Sequence, residues 1–391
     1  MKFNKRHVLM AYNFTNSFEW SIVSPFLPIF FYELVGNSFL MLSVVNSLPA
    51  ILSVVMGLIW ARISDSYGKR KPFILLSIAT GIITTFLLSY VEDAWQLILL
   101  RISGVFTGAA GGAAFSALLS NTFKEKRGRM MGFYNALGLL GGISGNLLSA
   151  YFYDNYGMRA TLQAVAVAKV IPLALVLIIK EEPEKQGKIE LRRAVREAFK
   201  FPRLPPSFWR VYAVRCVLVL PGALGGSILA VYFVKFLGGS DQLWALITAV
   251  TTLMGIAVIP YGYLADKVGA RTMFTLAGLG WTVLYAGYYL SRDPYIFALF
   301  FVIPVWPAFH VTYQKTLMDV SDYCERATLF ATEGLISTIY GSIVGLIGGY
   351  LADVITPKNL LALSSALALL GAVTAYLLLR EEALLRGEAN P

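Results

Sequence analysis

The chain has 391 residues, of which 57% are hydrophobic and only 14% are charged. About a quarter of the residues of a soluble globular domain are charged, so this composition excludes an ordinary soluble protein. The formal net charge is +10, but the basic residues stand in short clusters between apolar runs, which indicates membrane topology rather than nucleic-acid binding. Cys216 and Cys324 are far apart and predict neither a disulfide framework nor a metal site.

Apolar runs long enough to cross a bilayer core of about 30 Å as helices recur along the whole chain. They predict an all-α membrane protein, and the basic and then apolar N-terminus is interpreted as a retained first helix rather than a cleaved signal peptide. The predicted spans are residues 8–34, 39–63, 72–90, 95–120, 129–152, 158–179, 209–236, 242–265, 272–290, 295–314, 328–351 and 360–379.

The basic residues also predict the orientation of these spans. When successive loops are assigned to alternate sides, only four loop residues of one side are basic: Arg159, Lys235, Arg292 and Lys358. Most of the remaining Lys and Arg residues fall at the two termini or in loops of the opposite side. Because basic loops stay in the cytoplasm, we expect a multi-pass protein of the cell membrane with both termini cytoplasmic.

Four segments of the first half align with four segments of the second half at a nearly constant offset. The aligned pairs are residues 35–38 with 237–240 (offset 202), 65–70 with 266–271 (201), 127–130 with 326–329 (199) and 153–154 with 352–353 (199). This repeat predicts two six-helix bundles, residues 1–180 and 209–391, related by pseudo-twofold symmetry about the membrane normal. Such duplication is a recurrent transporter design.

Residues 181–208 form the predicted cytoplasmic linker between the bundles. Leu191, Val195, Ala198 and Phe199 share one helical face, and the basic residues lie elsewhere. This pattern is typical of an amphipathic helix on the membrane surface, although a solvated linker helix would also fit it.

The loop after the second span carries a motif that occurs twice. The first copy reads Ala61-Arg-Ile-Ser-Asp65-Ser-Tyr-Gly68-Lys-Arg70-Lys71, and the second reads Gly262-Tyr-Leu-Ala-Asp266-Lys267-Val-Gly269-Ala-Arg271. Both copies resemble the signature Gly-x-x-x-Asp-(Arg/Lys)-x-Gly-x-(Arg/Lys)-(Arg/Lys) of the major facilitator superfamily. With the twelve spans and the repeat, the chain resembles this superfamily over essentially its full length, and specifically its drug:proton antiporters.

The resemblance implies that this loop latches the two halves in one orientation and releases them in the other. Asp65, Gly68 and Arg70, together with Asp266, Gly269 and Arg271, are therefore expected to be gating residues. The residues themselves predict a tight turn in which each glycine has a positive φ and each carboxylate faces the N-terminus of a neighbouring helix. A plain turn that only sets topology is the alternative.

Glu19 is the central acidic residue of the first span. It lies 13 positions beyond Arg6, which at 1.5 Å per residue places it about 20 Å into the membrane. Tyr12 and Asn16 project from the same helical face, and such a polar stripe must face a cavity or protein rather than lipid. We expect Glu19 to couple proton movement to transport and, with Tyr12 and Asn16, to contact the substrate. A structural carboxylate paired with a buried base such as Lys169 is the alternative.

Other polar residues inside the spans complete the candidate site. Arg101 resembles the fourth-helix arginine of the superfamily, which the resemblance links to proton relay. Asn135 in the glycine-rich fifth span and His310 in the tenth are further candidate substrate contacts. Glu333 is expected near the cytoplasmic gate, paired with Arg70 or Arg62 of the other half, whereas Arg215 is expected to snorkel towards the cytoplasmic surface.

These features favour a secondary active transporter rather than an enzyme, since no nucleotide loop, metal cluster or catalytic triad is indicated. The preferred hypothesis is proton-coupled export of small amphipathic compounds by alternating access. The alternative is a transporter of an organic anion or a sugar, favoured if Arg101 and His310 line the cavity and Lys169 neutralises Glu19. The expected partners are a small-molecule substrate, protons and membrane lipids; we expect a monomer that binds no nucleic acid, metal or cofactor.

Overall fold

The computed structural model describes residues 5–123, 127–181, 204–226, 228–320 and 326–379. Within these ranges all regular structure is helical, and no β-strand is present. The amphipathic helix predicted for the linker lies outside the described residues.

Eight helices make up the first half of the chain. They are α1 (Lys5–Val23), α2 (Leu27–Leu34), α3 (Phe39–Tyr67), α4 (Lys71–Leu88), α5 (Ala94–Gly108), α6 (Ala110–Thr122), α7 (Arg127–Ala168) and α8 (Val170–Ile178). The second half contains α9 (Pro206–Gly225), α10 (Ile228–Val231), a π-helical turn (Tyr232–Phe236), α11 (Asp241–Leu253), a 3₁₀ turn (Met254–Ala257), α12 (Val258–Leu290), α13 (Pro294–Phe301), α14 (Val305–Asp319), α15 (Arg326–Ile355) and α16 (Pro357–Leu378).

The helices account for the predicted spans. In the described part of the chain, nine helical stretches are long and apolar enough to cross a membrane. Two of them, Arg129–Ile178 and Asp241–Leu290, are 50 residues long. Each contains a glycine in a non-helical conformation, Gly157 or Gly269, so each supplies two crossings. With α1 and α2 as the first crossing, the structure agrees with twelve spans.

Prolines explain why several predicted spans are divided. Pro25 lies in the short turn between α1 and α2, and Pro304 directly precedes α14. Pro49 and Pro221, in contrast, lie inside α3 and α9, which continue past them. A proline removes one backbone donor and crowds the preceding turn, so it bends a long helix or ends it according to the packing around it.

The chain forms two compact units. The first comprises residues 1–37, 48–200 and 244–252, and the second comprises residues 38–47, 201–243 and 253–391. The first residues of α3 therefore belong to the second unit, and most of α11 belongs to the first unit.

The repeat seen in the sequence recurs in the backbone. Gly36 and Gly238, which are aligned at an offset of 202, have the same φ of 73°. Gly68 and Gly269 have φ values of 70° and 80°, which confirms the predicted tight turn in both copies of the motif. The offset of 199 aligns Gly157, with a φ of 72°, with Thr356, with a φ of 73°.

Thr356 thus occupies a position at which the first half has glycine. Its φ of 73° and ψ of 149° lie in a region that is essentially restricted to glycine, where a residue with a Cβ atom is strained by about 1–3 kcal/mol. The threonine side chain offsets part of this cost because Oγ1 accepts a hydrogen bond from Asn359 N (3.4 Å) at the start of α16. This distance is long for a hydrogen bond, so the compensation is small.

Glycines allow α1 to lie directly against α7 in the first unit. A Cβ atom added at Gly141 would overlap the carbonyl oxygen of Phe14, and one added at Gly145 would overlap that of Phe18 and lie 2.8 Å from Ser21 Cβ. Beside these glycines, Asn13 Nδ2 donates to the Tyr134 carbonyl oxygen (2.7 Å). Small residues permit this close approach between membrane helices, so the two helices are fixed to each other.

In the second unit a carboxylate of α15 caps the first turn of α3. Asp353 accepts hydrogen bonds from Phe39 N (2.8 Å), Leu40 N (2.9 Å) and Ser38 Oγ (2.8 Å). The N-terminus of a helix has unpaired N–H groups and a partial positive charge, and a carboxylate satisfies both.

We expect Thr356→Gly to stabilise the protein. The substitution removes the strain at φ 73° and loses only the weak contact with Asn359, so the free energy of unfolding should rise by about 1 kcal/mol or more. Thermal denaturation of the purified protein in detergent measures this effect. A lower midpoint in Thr356→Gly than in the wild type would contradict the assignment of strain.

Gly145→Ala should have the opposite effect. The added methyl group meets the Phe18 carbonyl, so α1 and α7 must separate, and overpacking of this kind costs about 1–3 kcal/mol. Gly81→Ala in α4 is the matched control, because nothing lies within 4 Å of a Cβ atom added there, and alanine favours a helix over glycine. Equal melting temperatures for the two variants would show that the contact between α1 and α7 is not tight.

Candidate functional site

Glu19 lies in the interior of the first unit and is paired with a base. The residue is 2% exposed, and its Oε1 atom is 3.0 Å from Lys169 Nζ. Lys169 stands at the junction of α7 and α8, and its side chain is 14% exposed. The second carboxylate oxygen, Oε2, is buried and makes no hydrogen bond among the described residues. The pairing left open by the sequence is therefore present, and the pair is only partly satisfied.

The residues predicted to share the face of Glu19 have different surroundings. The Tyr12 ring lies 4.7 Å from the Phe115 ring and packs against the apolar cluster around Phe123. Asn16 is half-buried, one turn away from Glu19. Tyr12 therefore contacts an apolar cluster of the protein, and the substrate contacts expected of Tyr12 and Asn16 stay predictions.

The first unit also contains a cavity, at a different place from the Glu19–Lys169 pair. Its volume is about 550 Å³, which is within the range of small-molecule sites. Its wall includes Trp20, Leu27, Phe31, Pro49, Ser53, Thr84, Thr85, Leu88, Leu100, Arg101, Gly104, Val105, Gly108 and Ala109. Most of these side chains are apolar, and Glu19 is not one of them.

Arg101 is the charged residue in the wall of this cavity. It projects from α5, and its Cζ atom lies 5.0 Å from the centre of the Phe31 ring, a distance typical of a cation–π contact. A guanidinium at an apolar wall can hold the anionic group of an amphipathic molecule. Arg101 and Glu19, the two residues that the sequence predicts to take part in proton coupling, therefore occupy different environments within the unit.

In the first motif copy, an ion pair spans the turn between α3 and α4. Arg70 Nη1 lies 2.6 Å from Asp65 Oδ1 and 3.0 Å from Ser64 Oγ. The carboxylate at the N-terminus of α4 belongs to Glu181, which accepts hydrogen bonds from Arg70 N and Lys71 N (both 2.7 Å). At the start of α4 the carboxylate is thus Glu181 and not Asp65, whose carboxylate pairs with Arg70.

The second motif copy uses other partners. Asp266 Oδ1 pairs with Lys315 Nζ of α14 at 2.5 Å. Arg271 lies over the Tyr376 ring of α16, with Cζ 4.0 Å from its centre, and its Nε atom donates to the Tyr376 carbonyl oxygen (2.8 Å). The two turns have the same backbone shape, but different helices hold them.

Glu333 and Arg215 form the buried ion pair of the second unit. Arg215 Nε lies 3.3 Å from Glu333 Oε1, so Glu333 has a partner in its own unit instead of the expected Arg70 or Arg62. The prediction that Arg215 snorkels to the surface is wrong, because its side chain is only 16% exposed. Counting along α9 gave its depth but not the carboxylate that holds it there.

The other candidate contacts are exposed or support packing. Asn135 is exposed on α7, and His310 is exposed on α14, where its ring lies 6.1 Å from that of Trp306. Asn146, further along α7, is 5% exposed and donates to Thr252 Oγ1 (3.0 Å) within the first unit.

Sequence reasoning missed Glu181 and Lys315. Glu181 follows an apolar run as the first acid of a polar stretch, where it looks like a solvated residue. Lys315 stands four residues before Asp319, so it resembles an ordinary helix-surface base. In both cases the partner is distant in sequence, and no local pattern identifies it.

The comparisons with known proteins agree with this architecture. The model of the major facilitator superfamily matches residues 9–240 and 225–390. The chain is 28% identical to the multi-drug resistance efflux pump PmrA of Streptococcus pneumoniae over 284 residues, which are 70% of each protein. It is 24% identical to the multidrug resistance protein MdtG of Escherichia fergusonii over 293 residues, 72% of this chain and 71% of MdtG.

Solved structures show the same fold. The crystal structure of the nucleoside transporter NupG superposes with a TM-score of 0.74 and 12% identity, covering 100% of both chains. At an identity this low, the superposition shows a common fold and gives no information about the substrate. The predicted all-α, major-facilitator-type fold is confirmed, and the chain belongs to the major facilitator superfamily of membrane transporters.

Proposed function

We propose that the chain is a secondary active transporter that exports small amphipathic or lipophilic compounds in exchange for protons by alternating access. The observation that carries the proposal is the buried ion pair of Glu19 and Lys169, with 3.0 Å between Oε1 and Nζ. The direction of transport is inferred from PmrA and MdtG, whose names describe multidrug efflux and multidrug resistance. The protein acts as a monomer in the cell membrane, with both termini in the cytoplasm.

The Glu19–Lys169 pair has the properties of a coupling device. Opening a buried ion pair is costly because each charge loses its partner. Glu19 has one oxygen without a donor, so Lys169 is the main source of stabilisation for its negative charge. When a conformational change admits water, the separated carboxylate can be hydrated or protonated. One proton can then be carried in each cycle.

The cavity beside Arg101 supports amphipathic substrates. Its wall is mainly apolar and includes two aromatic side chains, Trp20 and Phe31, and two hydroxyl side chains, Thr84 and Thr85. A sugar placed there would leave many hydroxyl groups without partners, which is unfavourable in an apolar site. An amphipathic molecule would bury its apolar part and could direct a polar group to Arg101.

Transport of an organic anion is the second candidate function. Two observations favour it, since Arg101 lies on the cavity wall and Lys169 neutralises Glu19. His310, the third residue named in this hypothesis, is exposed on α14 of the second unit.

The two motif turns are proposed as gating elements, together with Glu333. The carboxylate side chains of Asp65 and Asp266 are 47% and 70% exposed. Ion pairs with such exposure are weak because water and salt screen them, so their partners can change when the turns move. Gly68 and Gly269 keep the turns tight, while Arg70 and Arg271 provide the basic partners.

Glu19→Gln should abolish transport driven by a pH gradient, because the amide cannot release a proton. The measurement is uptake of the lipophilic cation ethidium into proteoliposomes with an imposed gradient, compared with exchange in the absence of a gradient. Glu33→Gln is the matched control, since Glu33 is an exposed acid of α2. Gradient-driven flux in Glu19→Gln that equals the flux of the wild type would exclude Glu19 as the coupling residue.

Arg101→Gln should change the charge preference of the cavity. Hydrogen bonds to charged groups contribute about 1.5–3 kcal/mol, so inhibition of transport by organic anions should weaken about tenfold or more. Inhibition by lipophilic cations should be unchanged or stronger, and Arg101→Lys should resemble the wild type. If neither class of inhibitor responds to Arg101→Gln, the cavity is not part of the substrate site.

A further inference from the structure

The buried pair of the second unit contains an arginine whose donors are incompletely used. Glu333 Oε1 accepts hydrogen bonds from Tyr313 Oη (3.0 Å) and from Ser337 Oγ, and Arg215 approaches the same oxygen through Nε alone at 3.3 Å. Arginine normally binds a carboxylate through two parallel N–H groups. Here the guanidinium reaches the carboxylate through one long contact, with an oxygen that already has two other donors, and it also lies beside the Cys216 thiol.

Two buried polar atoms at this place make no hydrogen bond among the described residues. One is Arg215 Nη1, and the other is the hydroxyl oxygen of Tyr212. The Tyr212 hydroxyl lies near Ser337 and Cys216 but forms no hydrogen bond of normal geometry with them. Leaving a buried donor unpaired is unfavourable, and both donors would be satisfied by one acceptor group between them.

Aromatic rings surround the guanidinium. The centres of the Tyr212 and Tyr313 rings each lie 5.5 Å from Arg215 Cζ. These distances allow cation–π contact and give flat apolar walls next to the unused N–H group. An aromatic or otherwise lipophilic acid would match both the charge and the walls.

A cavity lies further along the same helices; its wall is mainly polar and Arg215 is not among its lining residues, so it could take a polar end of such a molecule. This cavity of about 250 Å³ is lined by Ala223 of α9 and by Thr338 and Ser342 of α15, together with Ser43 and Asn46 of α3. Ala223 lies eight residues beyond Arg215, about 12 Å along the helix. Thr338 directly follows Ser337, the residue that donates to Glu333.

The repeat shows that helix packing does not require this ion pair. The repeat offsets place Asn13 at the position of Arg215 and Tyr134 at that of Glu333. In the first unit this contact is a neutral hydrogen bond, from Asn13 Nδ2 to the Tyr134 carbonyl oxygen (2.7 Å). Since a neutral contact suffices there, the charges of the second unit call for a separate explanation.

We propose that Arg215 is an anion-binding residue of the second unit, and that the carboxylate of a lipophilic organic acid takes the place of Glu333 on its guanidinium. Tyr212 donates to the same carboxylate, and Glu333 keeps Tyr313 and Ser337 as donors. The inference deepens the proposed function by adding organic acids to the substrate class. It rests on that function only in assuming that the chain binds small molecules, and it does not require proton coupling.

The test is equilibrium binding of pyrenebutyrate, followed by its fluorescence, to the purified full-length protein in lipid nanodiscs without a pH gradient. Pyrenebutyramide, which has the same shape without the charge, is the companion probe. We expect the wild type to bind the carboxylate and Arg215→Gln to raise its Kd about tenfold or more. Arg210→Gln, at an exposed arginine of the same helix, should leave the Kd unchanged.

Glu333→Gln separates this role from a structural one. Removing the internal competitor should tighten pyrenebutyrate binding several-fold, whereas a purely structural pair would give a destabilised protein with weaker binding. Arg215→Gln/Glu333→Gln leaves no uncompensated charge and therefore avoids loss of folding. This variant should bind the carboxylate no better than the amide.

Three outcomes would overturn the proposal: no binding to the wild type, equal affinity for the carboxylate and the amide, or loss of binding in Arg101→Gln but not in Arg215→Gln. The last result would assign the anion to the cavity of the first unit. The proposed proton coupling is tested separately by gradient-driven flux in Glu19→Gln, so either idea can fail without the other.

Discussion

The contact between Glu19 and Lys169 joins α1 to the junction of α7 and α8, at a depth in the first unit where the two side chains are only 3% and 14% exposed. Two opposite charges at this depth are tolerated only together, because either one alone would be strongly unfavourable in an apolar environment. The glycines of α7 allow α1 to pack closely against α7. This contact fixes the position of Glu19 on α1. The ion pair and the glycine contact therefore both hold α1 against α7 and its junction with α8.

The two units share a backbone pattern but differ in their polar chemistry. The aligned glycines of the two motif turns adopt nearly equal φ values, yet Asp65 pairs with Arg70 of its own turn and Asp266 pairs with Lys315 of another helix. Backbone conformation is determined by local sterics, which a duplicated sequence preserves. Partners are determined by side chains from other helices, which can diverge while the turn is kept. The duplication therefore accounts for the architecture and leaves each unit free to acquire its own buried charges.

Much of the fold could be predicted from the sequence because its determinants are local. Apolar run length gave the spans, and the motif glycines gave the two tight turns. The repeat offset also relates Gly157 to Thr356, although only the φ of the threonine revealed the strain there. Counting residues along the first helix predicts a central position for Glu19, and the residue is buried there.

The candidate site was less predictable because it depends on how each helix is rotated and which neighbour it meets. Lys169 is one of the partners that the sequence predicts for Glu19, and only the structure shows that the two side chains lie together. Arg215 looked like a residue that reaches the surface, and Glu333 like a residue that reaches the other half. The two residues instead form an ion pair with each other, Arg215 from α9 and Glu333 from α15. Residue counting gives the position of a side chain along a helix axis, but the direction in which it points follows from packing.

The close contact of α1 with α7 has a consequence for how substrate preference can diverge among related proteins. At Gly141 and Gly145 any side chain would meet a backbone carbonyl group, so a substitution there must alter the spacing of the helices. The residues of the cavity wall, such as Leu27, Phe31 and Thr84, border open space, so a change of side chain there can be taken up in part by the cavity. New specificities should therefore arise by exchanging wall residues on an unchanged scaffold, and relatives with different substrates would be expected to retain small residues on this face of α7.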